Sequence, residues 1–141
     1  TEGMRLFALR LIPAASAEFR DRLRMRDKRI ASNFPMIIHE SRPRAWTDWQ
    51  KKSGIKLPGD AATVRLDSMI AVARAAERGL GAALVPSQLA DSWFASGALV
   101  QLFPSELTTD DAFYFVCRRA DEKNGNVALL REWALSQFRN L

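Results

Sequence analysis

Residues 66–86 read Leu-Asp-Ser-Met-Ile-Ala-Val-Ala-Arg-Ala-Ala-Glu-Arg-Gly-Leu-Gly-Ala-Ala-Leu-Val-Pro, which is the pattern of a helix followed by a strand. Asp67 or Ser68 can cap the helix, because either side-chain oxygen can accept a free N–H group of the first turn. Gly79 suits the left-handed position just after a helix end. Residues 82–85 are apolar without interruption, which is typical of a strand buried on both faces. The stretch therefore predicts part of a parallel α/β sheet, in which ligands meet the carboxyl ends of strands.

The rest of the sequence repeats this alternation of strands and helices. Further strands are predicted at residues 4–12, 36–38, 62–66, 99–103 and 113–117, and further helices at 17–26, 43–53, 87–95 and 126–138. We expect Pro13 to end the first strand, and the polar residues 104–111 to form a connector. The predicted fold class is α/β, with a parallel or mixed sheet flanked by helices on both faces.

Composition narrows the class of protein. The 141 residues are 48% hydrophobic and 26% charged, as in ordinary globular domains, and the apolar runs are too short to span a bilayer. Cys117 is the only cysteine, so we expect no intramolecular disulfide and interpret it as an inert core thiol. No secretory signal is visible, which favours a cytoplasmic location. Because the chain opens with Thr-Glu-Gly, we expect a fragment of a longer protein.

The net charge of +5 is unevenly distributed. Residues 20–29 contain six basic and two acidic side chains. Such a segment is either a surface for nucleic acid or another anionic partner, or the solvated face of a surface helix and its following loop. The second interpretation is favoured, because no aromatic side chain is interleaved with these charges to stack on bases.

Three segments together resemble the effector-binding domain of LysR-type transcriptional regulators. They are residues 66–86, residues 38–49 (Ile-His-Glu-Ser-Arg-Pro-Arg-Ala-Trp-Thr-Asp-Trp) and residues 130–138 (Leu-Arg-Glu-Trp-Ala-Leu-Ser-Gln-Phe). The tryptophan pattern is similar to the subgroup of glycine-cleavage and β-lactamase activators. The resemblance covers nearly the whole chain.

That resemblance implies a fold like the type 2 periplasmic binding proteins, with two α/β lobes and a small-molecule cleft between them. It assigns residues 1–12 to a crossing strand of the first lobe, 13–107 to the second lobe, and 108–141 to a returning strand and helix of the first lobe. The first part of that first lobe has no counterpart here. The resemblance further implies a homodimer or tetramer, with DNA bound only through a helix-turn-helix that this chain does not contain.

Five residues are predicted to contact the effector. Asp67, Ser68 and Met69 start a helix, whose positive end attracts a carboxylate or phosphate, and we expect Asp67 to cap it while Ser68 faces the ligand. The resemblance suggests Tyr114 as a contact, although it also fits a core aromatic residue. His39 ends a parallel strand, where cleft residues are common, although it also fits a hydrogen-bonding loop residue.

No catalytic set, cofactor site or metal site is predicted. His39, Glu40 and Ser41 lack the further ligands of a closed zinc site, and we expect Ser41 and His39 to point in different directions. Phosphate-loop and nucleophile-elbow motifs are missing from the sequence. The sequence thus predicts a non-enzymatic sensor for a small anionic or polar effector, without a membrane partner. An extracytoplasmic solute-binding protein of the same fold is the main alternative, and an α/β enzyme is a weaker one.

Overall fold

The computed structural model describes residues 3–138, which contain eight strands and five α-helices. The strands are β1 (Gly3–Ala15), β2 (Met25–Arg26), β3 (Arg29–Ile30), β4 (Met36–His39), β5 (Thr63–Leu66), β6 (Ala82–Pro86), β7 (Val100–Gln101) and β8 (Leu107–Val116). The helices are α1 (Ala17–Arg22), α2 (Ala45–Ser53), α3 (Met69–Glu77), α4 (Asp91–Ser96) and α5 (Gly125–Gln137). Short 3-10 turns lie at Ser87–Leu89 and Arg119–Asp121.

The chain divides into two compact units. The second unit is Arg10–Leu107, and the first unit is formed by Thr1–Leu9 together with Thr108–Leu141. Within the described residues no helix is long and apolar enough to cross a membrane.

The second unit is built on a mixed sheet with the strand order β5-β4-β6-β1-β7. Strand β4 pairs in parallel with both β5 and β6, whereas β1 runs antiparallel to β6 and β7. The predicted fold class is therefore confirmed, and the sheet is of the mixed kind. The parallel part places the carboxyl ends of β4, β5 and β6 at one edge.

Helix α3 buries its apolar face on this sheet. Val72, Ala73 and Ala76 are buried on the helix, and all five residues of β6 are buried beneath it. Gly79 has φ +81° and ends the helix in the left-handed conformation that glycine tolerates best. A Cβ atom on Gly81 would lie 2.6 Å from the carbonyl oxygen of Pro35, so the entry to β6 requires glycine.

A row of aromatic rings forms a second packed layer of this unit. Phe19, Phe34, Trp46, Trp49 and Phe103 contact one another in that order, with ring centroids 5.4–5.6 Å apart. The Nε1–H group of Trp46 donates to the carbonyl of Ile37, and that of Trp49 to the carbonyl of Ser105. These donors satisfy the polar edges of the two buried indoles, so both rings hold α2 against the rest of the unit.

The first unit has a smaller packed centre. The ring of Phe7 lies 4.8 Å from that of Phe113 and 4.7 Å from that of Phe138. The Thr109 hydroxyl donates to the carbonyl of Leu9, which ties β8 to β1. Several large apolar side chains of this unit are exposed, namely Met4, Phe113, Tyr114, Val116, Leu129, Leu130 and Trp133.

The predicted ends of the first helix and the first strand are wrong, because in each case a side chain or a carbonyl forms a hydrogen bond that the sequence pattern did not predict. The basic helix ends at Arg22 rather than Arg26, because Leu23 is extended and the N–H of Arg24 donates to the hydroxyl of Ser32. Residues 25–30 form the β2–β3 hairpin instead. Strand β1 continues through Pro13 to Ala15, since a proline still offers its carbonyl, which accepts from the N–H of Leu102.

Three other predictions differ in extent. The expected connector 104–111 becomes part of β8 from Leu107 onward. The expected helix 87–95 divides into a 3-10 turn and α4, and the strand expected at 99–103 is only the two residues of β7. Polar composition and short apolar runs did not predict where β7 and β8 begin and end, because strand pairing is set by neighbours distant in sequence.

Candidate functional site

The carboxyl ends of β4 and β5 form the centre of the candidate site. His39, the last residue of β4, lies opposite Leu66, the last residue of β5. The N–H of Glu40 donates to the carbonyl of Leu66 at 2.9 Å, which extends the pairing by one residue. Asp67 and Ser68 follow directly, so the end of β4 and the beginning of α3 lie side by side at one edge.

Ser68 caps helix α3. Its Oγ accepts from the N–H of Ala71 at 3.1 Å, and its carbonyl accepts from the N–H of Val72 at 3.0 Å. Ser68 and not Asp67 is therefore the cap, whereas ligand contact by Ser68 stays a prediction. The N–H groups of Met69 and Ile70 have no partner within residues 3–138, so the helix start retains two donors beside the positive end of its dipole.

His39 is held by the turn that follows its strand. The N–H of Arg42 donates to the carbonyl of His39 at 2.9 Å, closing a turn around residues 40 and 41. The turn brings Ser41 close to the imidazole. The N–H group of Ser41 donates to Nδ1 of His39 at 3.2 Å, and the Oγ of Ser41 lies 2.7 Å from the same nitrogen. The expectation that Ser41 and His39 point in different directions is wrong, because the chain turns directly after β4.

The surroundings of His39 favour the neutral imidazole. Partial burial lowers the pKa of His39 below its ordinary value of 6.5, and the Arg42 guanidinium lowers it further. The carboxylates of Glu40 and Asp67 oppose this shift but do not cancel it. At neutral pH the ring is therefore uncharged, with one nitrogen donating and the other accepting.

A small pocket lies beside His39, against the first turn of α2. Its volume is about 10 Å³, which is close to the space that one water molecule needs. Most of its lining is apolar, and His39 and Arg42 are the polar side chains; the full set is Leu11, Ile37, Ile38, His39, Arg42, Ala45, Trp46 and Leu84. The pocket by itself does not hold an effector, but it places an imidazole and a guanidinium at the rim of an apolar recess.

Sequence reasoning missed two residues near this edge. Arg42 was not among the predicted residues, although it lies three residues after the end of β4. A search for basic side chains just after each predicted strand would have found it. Gln88 follows β6 and is buried, and its Oε1 accepts from the N–H of Arg10 and from the Ser87 hydroxyl, both at 3.4 Å. No local pattern predicts the burial of this amide, because β1 and the turn after β6 are far apart in sequence.

The structure brings four of the five predicted contact residues to one edge of the second unit. Asp67 and Ser68 are exposed there, His39 is half-buried, and Met69 packs partly against the core cluster beneath α3. Tyr114 belongs to the first unit, where 55% of its surface is exposed, so the interpretation as a core aromatic is not supported by its burial. Whether any of the five contacts an effector remains a prediction.

Two other candidate sites are described by their surroundings. Cys117 is half-buried at an open groove of the first unit, beside Met4 and Phe115. The charges of residues 20–29 lie on the end of α1 and on the β2–β3 hairpin, where Asp27 has φ +56°. Among residues 3–138, no group of three or more His, Cys, Asp and Glu side chains is arranged to hold a metal ion.

Comparison with known proteins gives one family match. The sequence model of the LysR substrate binding domain matches residues 2–139. A search of curated proteins finds no match.

Solved structures share the fold. The AmpR effector binding domain from Citrobacter freundii has a TM-score of 0.78 at 17% identity, over 99% of this chain and 68% of that one. The AmpR effector domain of Pseudomonas aeruginosa has a TM-score of 0.76 at 21% identity, and the match covers 98% of this chain and 66% of that one. The C-terminal domains of a LysR family protein from Agrobacterium tumefaciens have a TM-score of 0.64 at 25% identity, and the match covers 98% of this chain and 66% of that one. The chain thus spans about two thirds of the length of these structures.

Proposed function

The chain belongs to the LysR substrate-binding domain family, and from this premise we propose that the edge formed by the ends of β4 and β5 and the start of α3 binds a small-molecule effector. The family is one of regulatory, effector-binding domains, which supports a role in sensing over catalysis or solute transport. The observation that carries the proposal is the adjacency of His39 and Leu66, which places the imidazole beside the donors of α3.

The chemistry of this edge favours an anionic or strongly polar ligand group. The free N–H groups of Met69 and Ile70 point out of the first turn of α3, and a carboxylate or phosphate oxygen can accept from both. Arg42 supplies a full positive charge nearby, whereas Asp67 and Glu40 oppose a large anion. A single carboxylate or phosphate on an otherwise neutral effector is the best match.

The finer assignments extend this proposal. We assign residues 13–107 to the family's second lobe, and residues 1–12 and 108–141 to parts of its first lobe. Membership of the glycine-cleavage and β-lactamase activator subgroup is part of the proposal and rests on the tryptophan pattern of the sequence. The proposed setting is a cytoplasmic homodimer or tetramer, in which effector binding favours one arrangement of the domains and so changes contacts that other domains make with DNA.

Exchange of the helix cap tests the anion preference without removing the cap. Aspartate and asparagine both cap helices well, but only aspartate adds a negative charge. Small carboxylates and phosphates would first be screened by thermal shift on the 141-residue chain, and the affinity of each hit measured by calorimetry. We expect Ser68→Asp to weaken the affinity about fivefold, since a charge at a helix start is worth about 1 kcal/mol.

The asparagine variant is the matched control. Ser68→Asn keeps the cap and the net charge, so it should bind the same hits with nearly unchanged affinity. Equal affinity of wild type and Ser68→Asp for every hit would contradict the proposed ligand position. A screen that returns only cations would contradict the proposed ligand class.

A further inference from the structure

Ser41 contacts the only histidine of the chain in a way that determines where the imidazole carries its proton. A backbone N–H can only donate, so the bond from the N–H of Ser41 requires a lone pair on Nδ1 of His39. The hydroxyl of Ser41, 2.7 Å from the same atom, can donate to that lone pair as well. The backbone contact selects the neutral ring with its proton on Nε2, and the hydroxyl contact is compatible with that form.

The other ring nitrogen remains available. Within residues 3–138 the structure gives Nε2 of His39 no protein partner, and no buried side-chain nitrogen or oxygen lacks a hydrogen bond. Nε2 is therefore accessible to solvent or to a ligand. The ring and Arg42 line the same apolar recess.

We propose that Ser41 is a positioning residue that fixes His39 as an Nε2–H donor, so that this point of the effector site selects an acceptor oxygen. The selection of an effector oxygen rests on the proposed function, whereas the effect of Ser41 on the ring does not. A carboxylate or carbonyl oxygen fits both Nε2–H and the Arg42 guanidinium, and an ammonium or amide N–H group fits neither.

The charged groups around the ring set the direction of its pH dependence. Glu40 and Arg42 lie on the same turn, and Asp67 follows the neighbouring strand β5. Protonation of Nδ1 would abolish its acceptance from the N–H of Ser41, so the folded state opposes protonation. Because burial and the Arg42 charge hold the folded pKa of His39 below the unfolded value of 6.5, the stability that the neutral ring contributes is complete above pH 6.5 and is lost as the pH falls through the folded pKa.

Nitrogen-15 NMR of the 141-residue chain tests the positioning role without any ligand, because His39 gives the only imidazole signal. At neutral pH we expect Nδ1 to be the unprotonated nitrogen and Nε2 the protonated one. In Ser41→Ala the lost hydroxyl should raise the pKa of His39 towards its ordinary value, and Ser41→Thr should restore the low value. An unprotonated Nε2 in the wild type, or an unchanged pKa in Ser41→Ala, would overturn the proposal.

Ser96→Ala is the matched control. The hydroxyl of Ser96 also bonds a nearby backbone group, the carbonyl of Trp93, but it lies on α4 away from the imidazole. This variant should leave the titration of His39 unchanged, and a shift equal to that of Ser41→Ala would show a general effect of serine loss rather than positioning. Backbone amide spectra report whether each variant is folded.

Acetate serves as the probe for acceptor selection. We expect added sodium acetate to shift the Nε2 signal of His39 in a saturable way, and ammonium chloride at equal ionic strength to leave it unchanged. If acetate does not shift the Nε2 signal of a ring that is protonated on Nε2, the proposed selection of an acceptor oxygen is refuted. The Ser68 variants report separately on the proposed function, so failure of one idea is distinguishable from failure of the other.

Discussion

The two compact units differ in how completely each buries its own apolar side chains. In the second unit, eleven buried residues form one continuous core cluster around α3 and β6. Trp49 on α2 is fully buried, with its indole N–H satisfied. In the first unit, Trp133 on α5 is 58% exposed, and Leu129 and Leu130 beside it are exposed by more than half.

The difference shows that a helix rich in apolar residues is not always buried. Helix α5 carries apolar residues around most of its circumference, which is typical of a helix covered on several sides. Within the first unit only Ala134 of this helix is buried. The second unit therefore has the properties of a self-sufficient core, whereas the first unit presents apolar surface on the outside.

Removal of one tryptophan from each unit should give the largest difference in the free energy of unfolding. Trp49→Ala deletes a fully buried ring that contacts Trp46 and Phe103, and we expect a loss of about 3–5 kcal/mol in the free energy of unfolding. Trp133→Ala removes an exposed side chain and should cost less than about 1 kcal/mol. Urea unfolding followed by circular dichroism measures both, and equal losses would contradict the contrast between the units.

Substitution of one glycine in each unit should change stability in opposite directions. In Gly81→Ala the new Cβ would lie 2.6 Å from the Pro35 carbonyl, and the forced backbone shift should cost about 1–3 kcal/mol. Gly125→Ala meets no atom within 4 Å and should stabilise by about 0.4–1 kcal/mol, because the unfolded chain loses freedom. Thermal unfolding checks both variants, and a stable Gly81→Ala protein would exclude the close approach.

Loss of one helix cap in each unit should have the smallest effect and a similar size in both. Ser68→Ala removes the acceptor for the N–H of Ala71, and Asn124→Ala removes the acceptor for the N–H groups of Asn126 and Val127. Each loss should cost about 1 kcal/mol, because capping acts within one turn. Hydrogen exchange in α3 and α5 reports each helix separately. A much larger loss in α3 would indicate that its cap also holds the edge near His39.

Local signals in the sequence were sufficient for much of the second unit. The capping residues, the helical spacing of Val72, Ala73 and Ala76, and Gly79 predicted α3, and the apolar run after it predicted β6. These features act over a few residues, so they can be read without knowledge of the neighbours. The placement of Asp67, Ser68 and His39 at the ends of these elements followed from the same signals.

Contacts between distant residues required the tertiary structure. The antiparallel pairing of β1 with β6, the extension of β8 to Leu107 and the burial of Gln88 all depend on partners that are distant in sequence. The return of Ser41 to His39 is local in sequence, but it depends on a turn whose geometry the residue types alone do not specify.

By itself, the amino-acid sequence predicted an α/β domain with a helix start and the strand end at His39 in its candidate site, because capping, spacing and glycine positions act locally. Its motifs also resembled the LysR family, which the family match confirms. Only the tertiary structure decided that Ser68 rather than Asp67 is the cap, that the N–H of Ser41 reaches Nδ1 of His39, and that Leu129, Leu130 and Trp133 of α5 stay exposed. The physical reason is that hydrogen-bond partners and burial are properties of packed neighbours, which the order of residues along the chain does not define.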